Sequence, residues 1–379
     1  MPRRPLPSRL LLASPVAFAL GLAACAQDGP PPEPPLSAEA LEAVAPEPGV
    51  SREALARAVD DLFAADGIGQ TRALVVMHEG EIVAERYAES FTADTRFIGW
   101  SLSKAVTAVL VGTLVADGRL ALDATAPIPS WQRSGDPHGE ITLRYLLQMR
   151  SGLRHEEQAD PVFESAEVRM MYLDGRDDMA AWAQVQPLEH DPGSTFDYST
   201  PTSVILADIA TDTIAPDAAP QERQQAMARY LHSRIAEPIG VSSLIGEYDA
   251  AGTLMGGSSI WATARDWGRF GEFLRNGGSV AGAQVVPRGW VDFMRQSSPA
   301  SPDFGGQIWL NRDSGVEREV LFPEQGPDSA FALVGHLGQY VIVSPEQRLT
   351  VVRIGKTSEP ERDALRDELA EIFALYPVR

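Results

Sequence analysis

The chain has 379 residues, 44% of them hydrophobic, with 52 Asp and Glu against 32 Lys and Arg, a formal net charge of −20. An acidic balance of that size argues against nucleic acid and anionic lipid surfaces as partners. Cys25 is the only cysteine, so a disulfide within the chain is excluded.

The first residues read as an export segment. Arg3, Arg4 and Arg9 form a basic start, Leu10 to Leu22 an apolar stretch, and residues 1–24 are therefore expected to be a signal peptide outside the folded protein. Leu22-Ala-Ala-Cys25 resembles a bacterial lipobox, which implies acylation of Cys25 and a lipid bilayer as partner. The alternative is an ordinary signal peptide with an incidental thiol. Acyl chains contribute about 0.8 kcal/mol per buried methylene, so two or three anchor firmly without a membrane-spanning helix. The expected location is the periplasmic side of a bacterial envelope, with Ala26 after the cysteine favouring the outer membrane in a Gram-negative host. Residues 25–49 carry Pro30, Pro31, Pro32, Pro34, Pro35, Pro46 and Pro48 and read as a semi-stiff tether. Residues 50–379 are then the folded part, one large domain or two interleaved ones. Without the three signal arginines the charge goes from −20 to −23.

Ala73–Met77 and Ile82–Tyr87, separated by His78-Glu-Gly-Glu81, predict a β-hairpin. From Phe97 to Ala116 the only charged side chain is Lys104, which reads as a buried helix too polar for a membrane span. Thr142 caps a short helix expected to stop at Ser151-Gly152, and further helices are expected over Arg176–Gln184, Pro201–Asp212, Glu222–Ala236 and Ala262–Asn276. Ala332–Val343 and Leu349–Ile354 are β-rich, and a last helix runs over Glu359–Leu375. Strands at both ends with helices between predict an α+β fold: a mostly antiparallel sheet flanked by helices, with an inserted helical lobe over roughly residues 126–250.

The chemistry starts at Ser101-Leu-Ser-Lys104. Positions i and i+3 share a helix face, which brings the Lys104 amine to the Ser101 hydroxyl. A buried lone ammonium is unfavourable unless paired or deprotonated, and a lysine base next to a serine is the arrangement of an activated nucleophile. To serve near neutrality the amine must titrate about three units below its usual 10.4, a bias of about 4 kcal/mol. A tyrosine or second lysine would complete a proton relay, and Asp191-Pro-Gly-Ser-Thr-Phe-Asp-Tyr198, a turn leading into a helix, offers Tyr198.

Four segments in order, Trp100–Lys104, Ile141–Leu153, Pro192–Ser199 and Met255–Asp266, resemble the serine β-lactamase and penicillin-binding superfamily. The resemblance covers roughly residues 55 to 378 and is nearest the class C β-lactamases, their related esterases and the 6-aminohexanoate-oligomer hydrolases. It implies a β-lactamase/DD-peptidase-like fold and Ser101 as nucleophile, Lys104 as base and Tyr198 as proton donor. Two third-motif candidates stand: His336-Leu-Gly338 at the opening of a strand, which is preferred, and Lys356-Thr-Ser358, which reads as a capping box for the last helix. The resemblance implies oxyanion donors at the backbone N–H groups of Ser101 and Gln339, and substrate-facing positions at His336, Gly338 and Thr200. Tyr198-Ser-Thr200 lacks the asparagine of β-lactamases at its third position, and His336 replaces a lysine. Both departures point to a serine hydrolase of small esters or amides. The alternatives are a β-lactamase or D-alanyl-peptide hydrolase, and a catalytically silent lipoprotein that binds an envelope component.

No cofactor is implied, and the oligomeric state is left open. Gly67-Ile-Gly69 reads as a turn. His155-Glu-Glu157 has no second histidine at metal spacing, so no metal site is expected. Trp100 and Tyr172 are packing or cleft-wall candidates.

Overall fold

The computed structural model describes residues 35–378. The expected export segment, Cys25 and the first part of the expected tether lie outside the described residues.

In chain order, helices α1 (Ala38–Glu42) and α2 (Arg52–Ala64) precede strands β1 (Gln70–His78), β2 (Glu81–Tyr87) and β3 (Arg96–Ile98), and then the buried helix α3 (Ser103–Ala116). The helical part follows with α4 (Leu143–Leu147), α5 (Ala166–Tyr172), α6 (Met179–Gln184), α7 (Thr200–Ile214), α8 (Pro220–Leu231) and α9 (Glu237–Ile239). Next come β4 (Ile245–Gly246), β5 (Ile260–Thr263), α10 (Ala264–Arg275), β6 (Ser279–Val280), β7 (Ala283–Gln284) and α11 (Arg288–Met294). The chain closes with β8 (Trp309–Leu310), β9 (Phe331–Gly335), β10 (Gln339–Ser344), β11 (Leu349–Lys356) and α12 (Arg362–Leu375).

The two ends of the sequence build one six-stranded sheet in the order β2-β1-β11-β10-β9-β8. Its pairings are antiparallel, with β1 running against β11 from Gln70↔Lys356 to His78↔Leu349. Alternation along β1 sorts its side chains to two cores. Leu74 and Val76 meet Leu55, Leu62, Leu369 and Phe373 of α2 and α12. Val75 and Met77 join the larger core with Trp267, Phe270 and α3. A smaller sheet, β3-β5-β4, ties the start of α3 to the middle of the chain. The fold is thus an antiparallel sheet flanked by helices, with the helical lobe between its two sequence halves.

Three expectations change. The tether does not reach residue 49, because its last part packs on the domain: Ser37 caps α1, Ala45 N–H donates to Val83 O (2.9 Å), and Glu85 N–H donates to Ala43 O (2.9 Å). The physical reason is that β2 is an edge strand with open backbone groups, and the Ala43-Val-Ala45 stretch has no proline to prevent pairing. Ala40 and Val44 are buried there. Helix α4 ends at Leu147, short of Ser151-Gly152, because Met149 takes a left-handed φ of 53°. The helix expected over Glu222–Ala236 is α8 followed by a wider π turn, His232–Ala236. The Thr142 cap is found, its hydroxyl accepting from Tyr145 N–H (3.2 Å).

Candidate active site

Ser101 is placed by a tight approach of three elements. After β3, Gly99 N–H donates to Ile260 O (2.8 Å), and a Cβ at Gly99 would lie 2.5 Å from the Trp267 ring. Trp100 then takes φ +48°, a left-handed conformation a bulky side chain rarely adopts. Such backbone costs on the order of 1–3 kcal/mol and persists only where the surroundings hold it. It turns the chain into a 3-10 turn, Trp100–Leu102, that runs directly into α3. Ser103 secures the junction by accepting from Ile260 N–H (3.0 Å).

Lys104 sits one turn into this segment and is 1% exposed. Its Nζ donates to Ser101 Oγ (2.9 Å), Thr200 Oγ1 (2.8 Å) and Gly257 O (2.9 Å). An ammonium has three donors, and all three are used. Burial holds the amine below the usual lysine range, while Glu157 and Glu167 act in the opposite direction.

Tyr198 faces the same serine from the loop before α7. Its ring stacks on Trp309 at 5.2 Å and meets Phe304 edge-on at 5.9 Å, and Lys104 Nζ lies 4.9 Å from its centroid. Burial, with Glu157 adding to it, raises the phenol far above its usual range, and hydrogen bonding with Ser101 and the Trp309 indole only partly offsets this. The Tyr198 phenol is therefore held in its protonated form.

Thr200 does not meet the substrate-facing expectation. It is fully buried, and its hydroxyl donates to Glu157 Oε1 (2.5 Å) while its N–H donates to Glu157 Oε2 (2.7 Å). Thr200 is the first residue of α7, where side-chain and backbone donors both face an acceptor. Glu157, set aside in the sequence with His155, is thereby two hydrogen bonds from Lys104. Burial pushes its carboxyl up to about 7, opposed by Lys104 and by the Thr200 bonds. His155 itself is a buried neutral histidine. Its Nε2 donates to Ala183 O (3.0 Å) and its Nδ1 lies 3.0 Å from Ser199 Oγ, the α7 cap, and burial lowers its pKa to about 4. No group of three metal-ligating side chains occurs among the described residues.

The third motif needs two corrections. Ala332 pairs with Trp309 of β8, and Asn311 N–H donates to Ala330 O (2.9 Å), so even-numbered residues of β9 direct their backbone groups to its outer edge. Beyond the end of β8 that edge carries His336 N–H, facing the Ser101 segment. Gly335 makes the approach possible, since a Cβ there would lie 2.4 Å from Gly99 O. Gln339 instead pairs with Gly335 on the inner side, and its side chain bonds Gly355 N–H (2.9 Å) and Gly355 O (2.8 Å). It is one strand too far to serve as oxyanion donor. Gly338 is a turn residue, φ +76°, buried against Arg353, which donates to its carbonyl (2.9 Å). It does not face the cleft. His336 does, with its imidazole edge-on to Trp100 at 5.4 Å, and burial followed by Arg362 lowers its pKa. Lys356-Thr-Ser358 is a helix start, with Ser358 and Glu361 in a capping box.

Ser101, Tyr198, Trp309, Glu157, Gly335 and His336 share the wall of a cleft of about 900 Å³. Glu156, Glu167 and Asp197 make one side of it acidic. Burial, reinforced by Glu157, pushes Asp197 up to about 6. Tyr172 is exposed and outside this lining.

An antiparallel sheet flanked by helices, with Ser-x-x-Lys at the head of a buried helix and a tyrosine from the helical lobe opposite, defines the β-lactamase and penicillin-binding type of fold and site. The chain belongs to the Beta-lactamase family, whose model matches residues 59–375. A curated relative, the 6-aminohexanoate-dimer hydrolase of Paenarthrobacter ureafaciens, is 25% identical over 235 residues, which is 59% of this chain and 56% of that one. The chain thus spans little more than half the length of this relative. Among solved structures, a family VIII carboxylesterase superposes with TM-score 0.59 at 17% identity, covering 88% of this chain and 98% of that one. A penicillin-binding protein homolog from Caulobacter crescentus has TM-score 0.59 at 18% identity, covering 86% and 98%.

Proposed function

We propose that the protein is a serine hydrolase that cleaves a small ester or amide through an acyl-enzyme. The observation that carries this reading is the single hydrogen-bonded constellation of Ser101 and Lys104, 2.9 Å apart, under the Tyr198 phenol. In the acylation step neutral Lys104 takes the Ser101 proton and Oγ attacks the carbonyl carbon. The oxyanion is held by the backbone N–H groups of Ser101, in the 3-10 turn that leads into α3, and His336, just past the end of β9. Tyr198 gives its proton to the leaving oxygen or nitrogen and regains one from Lys104. Water then attacks the acyl-enzyme with the same groups acting in reverse.

The departures at Thr200 and His336 support esters and amides over β-lactams. A buried threonine bound to Glu157 offers the substrate no amide, and a histidine with a lowered pKa offers a carboxylate no permanent charge. The names of the relatives, a 6-aminohexanoate-dimer hydrolase and a carboxylesterase, fit the same substrate class. The test is labelling by a fluorophosphonate probe: wild type reacts at Ser101, and equal labelling of Ser101→Ala would refute the reading. Nitrocefin turnover as fast as that of short-chain nitrophenyl esters would move the substrate class to β-lactams. Export and lipidation at Cys25 remain part of the proposal.

A further inference from the structure

The geometry points to Glu157 as a positioning residue that, through the Thr200 hydroxyl, takes the proton Lys104 must lose before it can act as base. This rests on the serine-hydrolase reading of the same site. The donors run in one direction: Lys104 Nζ to Thr200 Oγ1 (2.8 Å), then Thr200 Oγ1 to Glu157 Oε1 (2.5 Å). An ammonium with three acceptors is the resting form this geometry suits. In that form Lys104 has no lone pair for the Ser101 proton.

The transfer balances without any outside partner. Lys104 gives one proton to Thr200 Oγ1, Thr200 gives its own hydroxyl proton to Glu157 Oε1, and the charged pair becomes a neutral amine and a neutral carboxylic acid. The amine then accepts the Ser101 proton as Oγ attacks. A partly buried Glu157 whose carboxyl is pushed up to about 7 is suited to hold the proton. The second Thr200–Glu157 bond, from the backbone N–H (2.7 Å), fixes the carboxylate in line with the hydroxyl.

Other titratable groups face the pair from each neighbouring element. Glu156 lies on the same loop, Glu167 on α5 and Asp197 and Tyr198 on the loop before α7, while His155 stands behind Ser199. Glu167 is the one that acts on both Lys104 and Glu157, and no bond joins it to Thr200. Thr200 alone bonds both ends. The asparagine that the family resemblance leads one to expect at this position would present an amide, which cannot pass a proton in this way.

The experiment measures the rate of fluorophosphonate labelling from pH 5 to 9 for wild type, Thr200→Val, Thr200→Ser and Glu157→Gln, with circular dichroism to confirm folding. Thr200→Val keeps the shape and cuts the relay, so labelling at the optimum should fall by roughly 10- to 100-fold. Thr200→Ser restores the hydroxyl and should label within about threefold of wild type. Glu157→Gln removes the proton acceptor at the end of the relay, so its labelling at the optimum should fall by roughly 10-fold or more, as in Thr200→Val. Wild-type labelling of Thr200→Val, or a wild-type profile for Glu157→Gln, would overturn the inference. Should Thr200→Val not fold, the Glu157→Gln profile decides. Labelling of wild type at Ser101 with unaltered variants refutes the relay alone, whereas no dependence on Ser101 refutes the hydrolase reading.

Discussion

Lys104 Nζ and Thr200 Oγ1 lie 2.8 Å apart although 96 residues separate them in the chain, and the contact joins the buried helix α3 to the first turn of α7. It makes the placement of the Lys104 amine a property of both lobes. Gly257 O, from the loop before β5, is the third point that locates the amine.

Replacing the base tests the centre of the site. Lys104→Met fills the same buried space without an amine, and esterase activity is expected to fall by roughly 10²- to 10⁴-fold. Hydrolysis of a nitrophenyl ester by the folded variant is the measurement, and retention of more than a tenth of wild-type kcat/KM would contradict the role.

Tyr198→Phe keeps the ring on Trp309 and removes only the hydroxyl. As a proton donor to the leaving group, Tyr198 matters most for a poor one. The loss should be at least about tenfold greater for an anilide or alkyl amide than for a nitrophenyl ester, whose leaving group departs unprotonated. Equal losses on the two substrates would assign Tyr198 to the nucleophile side.

The pH dependence of stability follows from Asp197, whose carboxyl is pushed up from 3.8 to about 6 by burial. Between those values the folded state holds a proton that the unfolded state has released, so this contribution to stability falls as pH rises through the window. Asp197→Asn abolishes the change. Because Asp197 is partly solvated, the gain at pH 7 should be on the order of 1 kcal/mol. Thermal melts should show the variant more stable than wild type at pH 7 and nearly equal at pH 4.

Gly99→Ala introduces a methyl group 2.5 Å from the Trp267 ring, just ahead of the strained Trp100. Overpacking of this kind costs about 1–3 kcal/mol. The expected outcome is a lower melting temperature together with a larger fractional loss of kcat than of melting temperature, because the displaced residue positions Ser101.

Acylation of Cys25 should appear as incorporation of an alkyne-labelled fatty acid in a bacterial expression host. Cys25→Ala should abolish it and release the protein from the membrane fraction. Unlabelled wild-type protein in the soluble fraction would refute the lipoprotein reading.

Much of the fold was legible because its signals are local. Alternating apolar residues fit the β1–β2 hairpin and the β9–β11 strands, Thr142 is read as a cap, and an almost uncharged run with one lysine marks α3. The i to i+3 spacing of Ser101 and Lys104 needs only helical geometry, and the order of the later motifs points to Tyr198. Other features depend on contacts between distant segments. The resemblance implies Gln339 as the oxyanion donor and His336 and Gly338 as substrate-facing, and only the pairing of Ala332 with Trp309 decides which backbone groups reach the open edge of β9. Thr200 reads as a substrate contact until its burial against Glu157 is seen. Glu157 carries no periodicity or spacing that ties it to Lys104. The sequence by itself determined the pairing of Ser101 with the Lys104 amine and the sheet of the two termini, because those follow from periodicity and neighbouring side chains. The tertiary structure alone decided which groups surround the amine, because burial and strand parity arise only when separate segments pack together.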